Sequence, residues 1–80
     1  MSEVEVHLFA AARAAVGASV VAVPPASLGG ILDGLQAAHP AFAAVRPRCS
    51  YLVDGTAVHG EDADVLAGSR VDVLPPFAGG

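Results

Sequence analysis

Residues 70–80 read RVDVLPPFAGG, and the order of those residues decides how the rest of the chain is read. From Arg70 to Leu74 the side chains alternate, with Val71 and Val73 on one side and Asp72 and Leu74 on the other, the period of a half-buried strand. Pro75 and Pro76 end that strand, because proline has no N–H to give a ladder. Phe77, Ala78, Gly79 and Gly80 then run on with no further element to hold them. Extended, the five residues beyond Pro75 reach about 16 Å. The expectation is a folded body over 1–75 and a flexible tail over 76–80 that ends in two glycines.

Working outward, a strand this close to one end needs a neighbour, and the other end supplies one. Residues 3–9, EVEVHLF, alternate strictly: Val4, Val6 and Leu8 point one way, Glu3, Glu5, His7 and Phe9 the other. AAARAAVGAS reads as a turn punctuated by Gly17, and SVVAV at 19–23 as a second strand stopped by Pro24 and Pro25, giving an antiparallel hairpin. Ser27 is a plausible N-cap for a helix whose Leu28, Ile31, Leu32 and Leu35 form one apolar stripe, ended by Pro40 after His39. Gly29, Gly30 and Gly34 each cost that helix roughly 1 kcal/mol against alanine, so packing on a sheet must hold it. Phe42 and Val45 read as core plugs in a further short turn. CSYLV at 49–53 is a third strand, Asp54–Gly55 a tight turn into TAVH, and GEDAD a polar loop, with Leu66 expected to tuck inward before a turn at Gly68. The order β-β-α-β-β-β, with first and last strands side by side, is the β-grasp arrangement. This is an α+β fold in which a mixed four- to five-stranded sheet is packed by one main helix.

Composition narrows the function. Eighty residues make one small domain, with little room for a deep internal site. The chain is 54 % hydrophobic and carries a formal net charge of −4, from eight acidic residues against four arginines and no lysine. Basic residues do not cluster, which argues against nucleic acid, and an acidic surface suits a basic protein partner better. No apolar run is long enough for a membrane span, and MSEVEVHLFA has acidic residues where a signal peptide would be basic, so a cytoplasmic protein is expected.

No catalytic constellation is visible. His7, His39 and His59 lack metal-ligand spacing, and the loop with Glu61, Asp62 and Asp64 lacks the glycine and terminal glutamate of a calcium loop, so no metal and no bound cofactor is expected. Gly29 and Gly30 lack the lysine of a phosphate cradle, and Cys49, the one cysteine, has no base nearby in sequence.

What remains is the tail. Two prolines aim it outward, and two glycines without side chains could thread a narrow channel and present the Gly80 carboxylate to another protein's active site. Phe9 and Leu74 fall on the polar side of their strands, and with Ala57 and a rim residue, Arg13, they are expected to form an exposed apolar partner-binding patch near the tail.

VEVHLFAAAR at the start, YLVDGTAV, and above all RVDVLPPFAGG resemble the MoaD branch of the MoaD/ThiS family of ubiquitin-like sulfur carriers over essentially the whole chain. The resemblance implies a carrier rather than an enzyme. A ubiquitin-activating-type (MoeB-like) adenylating enzyme would use ATP and Mg to activate Gly80, and a sulfur donor protein would convert it to a thiocarboxylate. The tail, Pro76, Phe77, Ala78, Gly79 and Gly80, would then enter a MoaE-like large subunit of molybdopterin synthase, where catalysis would reside, to supply sulfur for the molybdenum cofactor. A carrier serving cysteine, thiamine or another thio-metabolite would look similar, and so would a β-grasp interaction module that donates no sulfur.

Overall fold

Val4, Val6 and Leu8 of strand β1 (Val4–Leu8) are all buried, as their alternation requires. In the computed structural model, which describes residues 3–76, β1 is an interior strand and pairs on both sides. It runs antiparallel to β2 (Val20–Val23), with Val4 opposite Val23 and His7 opposite Val20. On its other side it runs parallel to β7 (Arg70–Leu74), with Glu5 opposite Arg70 and Leu8 opposite Val73. Strands β4 (Ser50–Val53) and β5 (Thr56–Val58) form the second hairpin, around Asp54 and Gly55, whose φ values of 50° and 81° suit a tight turn. The sheet order is β2-β1-β7-β4-β5, five strands with one parallel pair at the centre. The expected first-to-last pairing and mixed sheet are therefore present.

Helix α2 (Leu28–Ala38) lies on the inner face of this sheet. Ser27 caps it, its Oγ accepting from the Gly30 N–H at 3.1 Å, and Leu28, Ile31, Leu32 and Leu35 are buried against Val4, Val6, Val71 and Val73. Burying each such side chain is worth roughly 1.5–3 kcal/mol, which outweighs the propensity loss from three glycines. Phe42, at the start of the short helix α3 (Phe42–Val45), is fully buried, whereas Val45 is half-buried at the core's edge.

Three expectations are corrected. Residues 10–16 form a helix, α1 (Ala10–Val16), not a turn. Alanine is the strongest helix former, Ala12 and Val16 face the core four residues apart, and Gly17 ends the segment as expected, closing the helix at φ 82° with its N–H on the Arg13 carbonyl. Leu66 does not tuck inward. It is 69 % exposed, because Val65 takes the buried place when β6 (Asp64–Val65) pairs with β3 (Ala26–Ser27), a two-stranded ladder absent from the expected β-β-α-β-β-β order. Finally, the strand begins at Ser50, because a 3₁₀ turn at Arg46–Arg48 carries the chain up to Cys49.

Candidate functional site

The outward face of the five-stranded sheet has no helix over it, and its side chains follow from the registers. His7 lies opposite Asp72, Asp72 opposite Leu52, and Leu52 opposite Ala57, so these four form one row across β1, β7, β4 and β5. Val20 extends the row on β2. The next row toward the tail holds Ser50 opposite Leu74. Phe9 follows Leu8 with an extended backbone (φ −122°, ψ 152°), so it keeps the strand's alternation and comes level with Leu74, one register step past Leu8 and Val73. At about 4.8 Å per strand, Phe9 to Ala57 spans roughly 14 Å.

Of the expected patch residues, Phe9 and Ala57 are exposed and Leu74 is half-buried. Ala57 is separated from Leu74 by β4, and Leu52 fills the gap between them. Arg13 is exposed on α1, one turn on from Phe9, whose carbonyl accepts its N–H at 3.3 Å. Leu52 and Val20 are additions, Val20 being 46 % exposed. The signal for Leu52 was present in SYLV: a buried Tyr51 fixes Leu52 outward by parity. The outward face thus carries two neighbouring rows, one of Val20, His7, Asp72, Leu52 and Ala57 and one of Phe9, Leu74 and Ser50, apolar apart from His7, Asp72 and Ser50.

Asp72 is held in place. Its carboxylate accepts from Arg70 Nε at 2.7 Å, and the Asp72 side chain is 13 % exposed. His7 Nε2 and Glu5 Oε1 are 3.0 Å apart along the same strand. These pairs leave the centre of the face polar but internally matched, which lowers the cost of covering it.

Away from this face, Arg46 closes the other side of the molecule. Its guanidinium donates to Glu61 at 2.8 Å, to Asp33 at 2.8 Å and to Gln36 at 3.2 Å, tying the loop after β5 to α2. Hydrogen bonding to Glu61 above all holds its pKa above the ordinary guanidinium value. Burial pushes the Cys49 thiol up, and burial also pushes the Tyr51 phenol up; the phenol donates to the Arg46 carbonyl at 3.1 Å. A thiol kept protonated in this way is a poor nucleophile. Among the described residues no three His, Cys, Asp or Glu side chains gather into a metal-binding group, and no helix is long and apolar enough to cross a membrane.

Strand β7 ends beside this outward face. Pro75 is buried and Pro76, the last described residue, is exposed. The remaining tail residues named above, Phe77, Ala78, Gly79 and Gly80, lie outside the described residues.

A mixed sheet with parallel first and last strands, crossed by one long helix and open on its other face, defines a ubiquitin-like β-grasp protein. Residues 6–80 match the model of the ThiS family, and the chain belongs to that family of small sulfur carriers. No curated protein gives a significant match to the sequence. Among solved structures, the chain is similar to SAMP1 of Haloferax volcanii, with 29 % identity, 98 % of this chain and 99 % of that one covered, and a TM-score of 0.81. A candidate molybdopterin converting factor subunit 1 of Pyrococcus furiosus shares the fold at 20 % identity, covering 96 % of this chain and 100 % of that one, with a TM-score of 0.82. So does a chain from the complex of subunits 1 and 2 of the molybdopterin-converting factor of Helicobacter pylori, at 15 % identity, covering 98 % and 99 %, with a TM-score of 0.73.

Proposed function

We propose that this carrier works through the carboxylate of Gly80 and serves as the small subunit of a molybdopterin synthase. The observation that carries the reading is the placement of an uncovered apolar sheet face beside the root of a Pro-Pro-x-x-Gly-Gly tail, in a member of a sulfur-carrier family. The face docks a partner, and the tail reaches into that partner's active site.

The chemistry follows from the electrophile. A carboxylate reacts poorly until it has a leaving group. A ubiquitin-activating-type enzyme supplies one from ATP and Mg: a Gly80 carboxylate oxygen attacks the α-phosphorus, pyrophosphate leaves, and an acyl-adenylate forms. A persulfide sulfur from a donor protein then attacks the acyl carbon and expels AMP. Reductive cleavage of the sulfur–sulfur bond by a thiol leaves the terminal thiocarboxylate. In the large subunit that thioacid is the nucleophile that delivers sulfur to the dithiolene precursor. The Helicobacter complex of two subunits, one of which shares this fold, supports a MoaE-like partner, and the apolar residues of the open face are suited to one. Fusing one residue after Gly80 tests the reading: sulfur transfer should vanish while binding through the face survives. Loss of neither contradicts it.

The similarity to SAMP1, a small archaeal modifier protein, favours a second use of the same activated end, attachment to amines of other proteins. This chain has no lysine, so it offers no side-chain amine for a second copy. The two uses separate in a lysate supplied with the activating enzyme: conjugates of higher mass for modification, a thiocarboxylate without conjugates for sulfur delivery.

A further inference from the structure

The chain's acidity is not spread evenly, and the end that launches the tail is cationic. Of the four arginines, Arg46 is engaged by Asp33 and Glu61, and Arg70 by Asp72. Arg13 and Arg48 make no ion pair among the described residues. Arg48 closes the 3₁₀ turn that leads into β4, and Ser50 lies opposite Leu74 in the antiparallel ladder. Beyond that last pair one chain turns back through Cys49 to Arg48 and the other runs on through Pro75 to Pro76, the last described residue. The surface brings these two chain ends together. An open cleft of about 300 Å³ between α1 and α3 is lined by Ala11, Ala44, Val45, Arg48, Pro75 and Pro76. Its lining is apolar except for one exposed guanidinium.

The carboxylates lie elsewhere. Glu3 and Glu5 stand at the start of β1, and Asp54 at the far turn, where the Arg70 N–H donates to it. Glu61, Asp62 and Asp64 are in the loop around β6. Asp72, the carboxylate nearest the tail along β7, is already taken by Arg70. The formal charge of −4 therefore hides a local cation at the tail's root.

On this basis, and resting on the carrier reading above, we propose that Arg48 is a docking residue: it pairs with a carboxylate at the mouth of the channel that accepts the tail in the activating enzyme. A partner that takes in the tail must close around Pro76, and in doing so it removes water from Arg48. An arginine cannot shed its charge, and leaving it dry and unpaired is costly. A carboxylate facing it removes that cost and steers the encounter. The chain's net charge predicts a basic partner; the tail's root selects an acidic lip.

The test is binding of the intact chain to the purified ubiquitin-activating-type enzyme of the same organism, measured at about 0.1 M and about 1 M salt, where the screening length falls from about 10 to about 3 Å. Arg48→Gln and Thr56→Glu each shift the net charge by one toward negative, the first at the tail's root and the second at the distant β5 turn. Arg48→Gln should weaken binding by roughly threefold to tenfold at low salt, Arg48→Glu by more, and Thr56→Glu by less than twofold, with the differences shrinking at high salt. The exposed Arg48 side chain makes no hydrogen bond among the described residues, so both Arg48 variants should melt with the parent chain. Wild-type binding with no loss in Arg48→Glu overturns the docking role and leaves the carrier reading standing. Failure of the wild-type chain to bind and be adenylated overturns both.

Discussion

Leu8 and Val73 are partners in the parallel ladder between β1 and β7, so the two strands end level with each other. The layout of this end of the molecule follows from that pairing. It puts Phe9 level with Leu74, sets α1 over the same end of the sheet, and brings Pro75 and Pro76 to the α1–α3 cleft.

The open face should therefore tolerate change better in stability than in binding. Phe9 is 36 % exposed, so Phe9→Asp should cost less than about 1 kcal/mol in thermal unfolding while weakening partner binding at least tenfold. Leu52→Asp should also weaken binding, with a larger stability loss because Leu52 is half-buried. Titration calorimetry beside melting curves separates the two quantities. A Phe9→Asp chain that melts early and binds normally would contradict the assignment.

Arg46 is a structural clamp. Arg46→Ala removes hydrogen bonds to Asp33, Glu61 and Gln36 from a side chain that is 16 % exposed, and should destabilise the fold by about 1–2 kcal/mol. The Asp33 and Glu61 carboxylates are themselves well solvated, which keeps the figure modest. Hydrogen exchange should localise the loosening to the loop at 59–62 and to α2. Uniform loss of protection across β1 and β7 would argue against a local clamp.

The helix glycines divide by what surrounds them. A Cβ at Gly29 would sit 3.1 Å from Glu61 Cβ and 3.3 Å from the Glu61 carbonyl, which already accepts the Gly29 N–H at 2.9 Å. Nothing lies within 4 Å of a Cβ at Gly34. Gly34→Ala should stabilise the chain by about 0.5–1 kcal/mol, and Gly29→Ala should give no gain or a loss. Chemical denaturation measures both. Equal gains would mean that the Glu61 loop yields freely.

Stability should also fall in alkali. Burial raises the proton affinity of both the Tyr51 phenol and the Cys49 thiol in the folded chain. A group whose folded pKa lies above its unfolded one contributes stability that is complete below the unfolded value and is lost as pH rises. Melting temperature should hold near neutrality and decline once pH passes the ordinary values of 9.0 for cysteine and 10.0 for tyrosine. A Tyr51→Phe, Cys49→Ala double variant should show a shallower decline. An identical decline in parent and variant would place the effect in other groups.

Strands were legible in the sequence wherever one face was buried and the other wet, since alternation in EVEVHL and RVDVL leaves only one orientation. The α2 stripe was legible for the same reason at helical period. AAARAAV was not, because alanine gives no contrast between faces and its helix shows only through propensity and a single buried pair, Ala12 and Val16. Leu66 was misplaced because a two-residue ladder such as β3–β6 has no periodicity to read, so nothing marked Val65 as the inward residue. Phe9 and Leu74 were found as apolar residues on a polar side, whereas Leu52 was hidden in an almost wholly apolar run. Arg48 carries no sequence signal at all. Its place beside Pro76 depends on how the 3₁₀ turn meets α1 and α3, and its availability on Arg46 and Arg70, not Arg48, taking the nearby carboxylates.

The central claim is that the Gly80 carboxylate is the working group. Intact-mass spectrometry after incubating the pure chain with the activating enzyme, ATP, Mg and a persulfide donor tests it directly, with a chain lacking Gly79 and Gly80 run in parallel. The full chain should gain the mass difference between sulfur and oxygen, localised to the terminal peptide, and the truncated chain should melt normally and gain nothing. An unchanged full-length mass, with the enzyme active on another carrier, would contradict the account, and so would adenylation of the truncated chain.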